Sequence, residues 1–166
     1  MVQLNFRYAL PEDLEKIVTT YNSTIPGREV TADLEPVTVQ SRQDWFSAHS
    51  PEHRPIWIVT CDSRYAGWLS FSSFYGRPAY ENTVEISIYL EPIYKGKGIG
   101  HACLRFAMEE AATRKLTNLL GFIFGHNLSS IRLFEKNGFE KWGHLPGVAN
   151  MDGTLRDLII YGFKLG

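Results

Sequence analysis

Hydrophobic and polar residues follow two different patterns along this chain. Short alternating or continuous apolar runs predict strands, and apolar residues spaced three or four positions apart predict helices. The runs that predict strands are 4–8, 56–61, 65–71, 83–90, 119–124 and 155–163. The helical pattern begins at Pro11, after Ser41, near Gly98, and after Asn127 or Ser129. This order predicts an α/β (α+β) fold with a mixed central β-sheet flanked by helices on both faces.

Two long loops separate these elements. The first spans 24–40 and contains Pro26, Gly27 and Pro36, and the second spans 73–82. The chain has no repeat, and its 166 residues, 44% of them hydrophobic, suit one domain with its own core. We therefore predict a single domain over residues 1–166.

Charge and cysteine content exclude several classes of protein. The 17 Lys and Arg residues nearly balance the 18 Asp and Glu residues, so no overall field favours nucleic acid. Cys61 and Cys103 are too few for a disulfide framework. The five histidines lack the spacing of a metal site. No signal-peptide or membrane-spanning run is present in this sequence, and we expect a cytoplasmic protein without membrane, metal or nucleic-acid partners.

A basic, glycine-rich turn follows the predicted strand 83–90 and precedes a helix. Its residues are Lys95, Gly96, Lys97, Gly98, Ile99 and Gly100. Glycine lets the backbone approach a ligand closely, and the helix N-terminus supplies unpaired N–H groups that favour an anion. A P-loop is excluded, because His101 and Ala102 stand where Lys and Ser or Thr are required, and the glycine spacing does not fit a dinucleotide-binding motif. The turn predicts a phosphate site of another kind.

Glu85 is the acidic residue of the strand before this turn. Alternation places it with Thr83, Ser87 and Tyr89 on the less apolar face of the strand. A strand glutamate most often faces solvent or pairs with a cation. Because the phosphate turn follows ten residues later, we interpret Glu85 as a candidate general base.

These motifs resemble the GNAT superfamily of N-acetyltransferases, and the resemblance covers nearly the whole chain. Residues 95–100 are similar to its pyrophosphate loop, with Lys95 where Gln or Arg is usual, and residues 127–139 are similar to its next helix and strand. The resemblance implies acetyl-CoA as co-substrate. The residues that it implies for binding acetyl-CoA are Ile88, Leu90, Lys95, Gly96, Lys97, Gly98, Ile99, Gly100, Asn127 and Ser130. Asn127 could instead cap the helix.

A narrower resemblance is to the acetyltransferases of phosphinothricin and methionine sulfoximine or sulfone. It rests on residues 77–80 and 83–90. It implies that Glu85 is the general base and that Arg77 and Tyr80 lie with it in the substrate pocket. Tyr75 and Leu155 depart from the branch's pattern. Phe134 stands where many relatives have a tyrosine that acts as the general acid.

The sequence therefore predicts N-acetylation of a small, amino-acid-like primary amine. Two alternatives stay open: acetylation of a protein N-terminus or peptide, and a non-catalytic acyl-CoA-binding module. The length of the accepted substrate distinguishes the first alternative, and turnover distinguishes the second. A homodimer is implied by the resemblance only.

Overall fold

Seven strands form one sheet in the computed structural model, which describes all 166 residues. The strands are β1 Leu4–Tyr8, β2 Ile56–Cys61, β3 Arg64–Ser73, β4 Thr83–Leu90, β5 Asn118–Phe124, β6 Glu140–Met151 and β7 Thr154–Lys164. Their order across the sheet is β1-β2-β3-β4-β5-β7-β6. Only β4 and β5 are parallel neighbours. The predicted mixed sheet is confirmed.

Four helices cover the two faces of this sheet. They are α1 Leu14–Ser23, α2 Gln43–Ser47, α3 Ile99–Thr113 and α4 Leu128–Lys136. One core cluster packs α3 and α4 against the sheet through residues such as Leu104, Phe134 and Val84. A second cluster packs α1 against the other face through Ile17 and Trp68. Both faces are therefore helix-covered, as the sequence predicts, and none of the helices is long and apolar enough to cross a membrane.

Strand β6 was not among the strands that the sequence predicts. Gly143, Pro146 and Gly147 interrupt its alternation, and its register with β7 shifts at two places. Asp157 of β7 holds the irregular part, because it accepts hydrogen bonds from the Gly147 N–H at 2.8 Å and from His144 Nε2 at 2.7 Å. The hairpin therefore depends on contacts across the strands, which alternation along one strand does not reveal.

The pairing of β4 with β5 ends early. Thr83, Val84 and Glu85 pair with Asn118, Leu119 and Leu120, and no later residue of β4 has a partner in β5. Beyond this point β4 pairs with β3 alone, while β5 continues alongside β7. The two strands separate, and the sheet opens toward their C-terminal ends.

Candidate active site

A cleft of about 910 Å³ lies where β4 and β5 separate. Its walls are the second half of β4, the second half of β5, the first residues of α3, one face of α4, and part of the loop 24–39 between α1 and α2. We call this space the long cleft. Eight of the ten residues predicted to bind the cofactor line it: Ile88, Leu90, Lys95, Gly96, Gly98, Gly100, Asn127 and Ser130.

The glycine turn forms one end of the long cleft. Gly96 and Gly98 have φ values of +72° and +80°, in the left-handed region that L-residues with side chains rarely adopt. Gly98 immediately precedes α3 and offers no side chain to cap it. The N–H groups of the first turn of α3 therefore lack intrahelical partners and carry the positive end of the helix dipole. An anionic group fits this end of the cleft.

Basic side chains extend this anion site along the cleft. Lys95 and His101 line it beside the glycine turn, and Arg132 and Lys136 line it from α4, one helical turn apart. The last two were missed in the sequence, although two cations four positions apart on a predicted helix are a usable signal. This distribution fits a ligand with several phosphate groups, such as the expected acetyl-CoA.

Two of the predicted cofactor residues lie outside the lining of the cleft. The Lys97 ammonium lies 5.9 Å from the centroid of the Tyr94 ring, and the Ile99 side chain is buried in the core. The Ile99 backbone still belongs to the first turn of α3. Only its main-chain N–H is therefore placed to meet an anion.

Asn127 joins α4 to the α1–α2 loop. Its Oδ1 accepts a hydrogen bond from the Ser130 N–H at 3.2 Å, and its Nδ2 donates to the Glu29 carbonyl oxygen at 3.3 Å. The first contact confirms the predicted helix cap. A contact between Asn127 and the cofactor stays a prediction.

The α1–α2 loop forms a wall of the long cleft through Thr24, Glu29, Val30, Thr31 and Ala32. His126 Nε2 donates to the Arg28 carbonyl oxygen at 2.8 Å, and the Arg28 side chain forms an ion pair with Asp152 at 2.7 Å. These contacts hold the loop across the cleft. The sequence predicts a loop here but does not show whether the loop contributes to the site.

A second, smaller cavity of about 220 Å³ lies on the face of the sheet that α1 and α2 cover. Aromatic residues dominate its walls: Tyr21, Trp45, Trp68 and Tyr89. We call it the aromatic cavity. Arg42 is its one cationic residue and Glu85 its one carboxylate. The Ser70 hydroxyl on its floor is buried without a hydrogen-bond partner. The cavity therefore suits a small molecule with an apolar part and a few polar groups.

Glu85 lies at the boundary between the two spaces and lines both of them. Its carboxylate is half-buried and has no hydrogen-bond or ion-pair partner, and burial raises its pKa. A carboxylate of this kind holds a proton more strongly than an exposed glutamate does. Glu85 stays the predicted general base.

Arg77 and Tyr80 lie apart from this arrangement. Both are exposed on the loop between β3 and β4, and neither lines the long cleft or the aromatic cavity. Tyr80 packs with Phe74 and Tyr75, at ring-centroid distances of 5.3 and 6.1 Å. Within one chain, the structure therefore does not bring these two predicted substrate residues to Glu85.

Phe134 packs against the backbone of β5. A Cβ added at Gly121 would lie 2.4 Å from the Phe134 ring, so glycine is needed there. The ring lines the long cleft but carries no hydroxyl group. No proton donor stands at this position.

The fold and the site define an enzyme with a split parallel strand pair, an anion-binding turn and a carboxylate between two cavities. The sequence pattern of the acetyltransferase (GNAT) family matches residues 15–139. The chain belongs to this family.

The similarity to its relatives extends over almost their full length. A protein of Bacillus subtilis, provisionally named phosphinothricin acetyltransferase YwnH, is 48% identical over 98% of this chain and 99% of its own. The L-methionine sulfoximine/L-methionine sulfone acetyltransferase of Pseudomonas paraeruginosa is 30% identical over 92% of this chain and 90% of its own. The structure of the phosphinothricin acetyltransferase of Sinorhizobium meliloti, solved in complex with acetyl-CoA, matches with a TM-score of 0.91 at 27% identity. The match covers 98% of this chain and 89% of that chain.

Proposed function

We propose that this protein acetylates the primary amine of a small, amino-acid-like substrate, with Glu85 as the general base. One observation carries this proposal: Glu85 is the only carboxylate that lines both the long cleft and the aromatic cavity. An acyl donor in the first space and an amine in the second would meet beside it.

Acetyl-CoA is the acyl donor. The residues present in the long cleft fit this molecule, because the glycine turn and Lys95 face its phosphate groups, while Ile88 and Leu90 lie along the path toward Glu85. Arg132 and Lys136 supply further positive charge to the phosphates. The protein is thus an acetyl-CoA-dependent N-acetyltransferase, and the chemistry needs no metal ion.

Glu85 acts on the amine. An ammonium ion has no free electron pair, so it must lose a proton before it attacks a thioester, and the Glu85 carboxylate accepts that proton directly or through one water molecule. The raised pKa of Glu85 favours this transfer. We assign the Ile88 N–H as the hydrogen-bond donor to the oxyanion that the attack creates, because β4 has no partner on its β5 side beyond Glu85.

The aromatic cavity is our candidate for the amine substrate's site. Its volume of about 220 Å³ suits a molecule of amino-acid size. Its one cation, Arg42, is already paired with Asp33 at 3.1 Å, which leaves other guanidinium donors for a polar group of the substrate. A peptide substrate is not favoured, since the aromatic cavity has room only for a molecule of about amino-acid size.

We also propose a homodimer and a cytoplasmic location. The β6–β7 hairpin at the sheet edge exposes Trp142, Val148 and Leu155, which support an interface with a second copy. In such a dimer, the exposed Arg77 and Tyr80 of one copy would contact the substrate bound to the other copy. Cys61 and Cys103 are free, buried thiols, as is usual in a reducing compartment.

Free-thiol release from acetyl-CoA tests the proposal. The purified protein is assayed against phosphinothricin, methionine sulfone, methionine sulfoximine, other amino acids, polyamines and short peptides. We expect turnover confined to free amino-acid-like amines. Turnover with peptides alone would favour the protein N-terminal activity, and acetyl-CoA binding without any turnover would favour the non-catalytic module.

A further inference from the structure

Three residues of β4 line both the long cleft and the aromatic cavity. They are Glu85, Ser87 and Tyr89, which share one face of the strand because side chains alternate. The reacting atoms must come together where the two spaces meet. Each group on this row therefore lies close to the chemistry, and only Glu85 has a role in the mechanism so far.

The Tyr89 hydroxyl is free to act. The Tyr21 hydroxyl bonds to Thr31 and Asp33, whereas no protein group bonds to the Tyr89 hydroxyl. The Tyr89 ring itself is fixed, because it stacks on Trp68 with centroids 4.7 Å apart and contacts the Tyr21 ring at 5.1 Å. A rigid ring with an unpaired hydroxyl presents a preorganised hydrogen-bond donor.

Acetyl transfer leaves one chemical need unmet. When the carbon–sulfur bond breaks, its electron pair goes to the sulfur, and a thiolate forms that a nearby donor can stabilise. Phe134 provides no hydroxyl group for this purpose. Glu85 carries the amine proton at that stage, and no separate donor has yet been assigned to the sulfur.

We propose that the Tyr89 hydroxyl donates a hydrogen bond to the departing sulfur and so serves as the leaving-group donor of the reaction. This assignment rests on the proposed function, in which the thioester lies against β4. The ammonium gives its first proton to Glu85, the carbon–nitrogen bond forms, the carbon–sulfur bond breaks, and the new amide nitrogen gives its second proton to water. The thiolate leaves bonded to Tyr89 and takes its proton from water afterwards.

The surroundings of Tyr89 keep its hydroxyl protonated. Burial first, and then the neighbouring Tyr21, Glu85 and Asp33, raise the pKa of Tyr89, while Arg42 lowers it. These groups face it from α1, from β4 and from the α1–α2 segment. Because the phenol keeps its proton throughout the working range of pH, it acts as a donor and never competes with Glu85 as a base.

The thiol pKa of bound CoA tests the assignment without turnover. CoA is titrated in complex with the parent protein and with Tyr89→Phe, and thiolate is followed by its ultraviolet absorbance. A hydrogen bond to the thiolate lowers the thiol pKa from its usual value of about 8.5. We expect the pKa in the Tyr89→Phe complex to be about one unit higher than in the parent complex. Equal values in the two complexes overturn the proposal.

Kinetics of the same variants separate this inference from the proposed function. We expect Tyr89→Phe to lower kcat roughly 10- to 100-fold, with little change in the acetyl-CoA dissociation constant. Tyr75→Phe is the matched control, because Tyr75 is exposed and lines neither cavity. If Ser87→Ala, and not Tyr89→Phe, raises the thiol pKa, the donor is Ser87 and the assignment is wrong. If Glu85→Gln turns over at the full rate, Glu85 is not the base. If the thiol pKa is nevertheless raised in Tyr89→Phe, the assignment of Tyr89 as leaving-group donor still holds.

Discussion

Glu85 and Leu120 are the last register partners of β4 and β5. The only parallel strand pair of the sheet ends at this pair, so the candidate base lies at the point where the sheet opens. Glu85 lines both the long cleft and the aromatic cavity. The position of the candidate base is thus a consequence of where the strands separate.

Removing the charge of Glu85 should stabilise the protein at neutral pH. Burial raises the pKa of Glu85 in the folded state, so folding is disfavoured as pH rises from the unfolded pKa of about 4.3 through the folded value. We expect Glu85→Gln to melt at a higher temperature than the parent at pH 7, by roughly 2–4 °C for each kcal/mol gained. The difference should vanish at acid pH.

Glu81→Gln is the matched control for this effect and should have the opposite sign. The hydrogen bond from His53 first, and then the charge of Arg54, lower the pKa of Glu81, so its charge stabilises the fold above its unfolded pKa. We expect Glu81→Gln to melt below the parent at pH 7. Calorimetry across pH checks both variants, and a lower melting temperature for Glu85→Gln at pH 7 would contradict the account.

Gly98→Ala should weaken both the fold and acetyl-CoA binding. An added Cβ meets no atom within 4 Å at Gly98 or at Gly153, and both residues have left-handed φ values, +80° and +91°. Each substitution to alanine should therefore lower the free energy of unfolding by about 1–2 kcal/mol. Only Gly98→Ala should also weaken acetyl-CoA binding, by about tenfold for each 1.4 kcal/mol lost. Calorimetric titration that shows equal acetyl-CoA affinities for the two variants would refute the assigned phosphate site.

Asn127→Ala should loosen the α1–α2 loop. The variant loses the cap of α4, worth about 1 kcal/mol, and the hydrogen bond to the Glu29 carbonyl. Asn137→Ala is the control, because Asn137 is equally buried and its side chain bonds only to Leu133 within α4. Amide hydrogen exchange over residues 24–39 should quicken in Asn127→Ala alone. Identical exchange in the two variants would show that Asn127 does not hold the loop.

Local sequence signals predicted most of the fold. The bounds of β1, β2 and β4 agree with the prediction, and Asp62 and Ser63 form the predicted tight turn, with φ values of +49° and +66°. These elements are specified by neighbours in sequence. Strand β6 was not predicted, because its bulged register depends on Asp157 in the next strand.

Only the parts of the site that short sequence patterns specify could be predicted. The glycine turn and Glu85 could be found, because alternation and turn chemistry act over a few residues. The wall formed by the α1–α2 loop could not, since it depends on hydrogen bonds between residues 98 positions apart, such as His126 to Arg28. The placement of Arg77 outside both cavities likewise follows from the path of the β3–β4 loop, to which no local pattern points.

Turnover by Glu85→Gln tests the central claim most directly. Glu29→Gln is the matched control, because Glu29 also lines the long cleft but not the aromatic cavity. Both variants are assayed for acetyl transfer to the best amine of the panel, with acetyl-CoA affinity measured in parallel. We expect Glu85→Gln to lower kcat roughly 10²- to 10⁴-fold at unchanged acetyl-CoA affinity, and Glu29→Gln to stay near the parent rate. A Glu85→Gln protein that turns over at the parent rate would contradict the account.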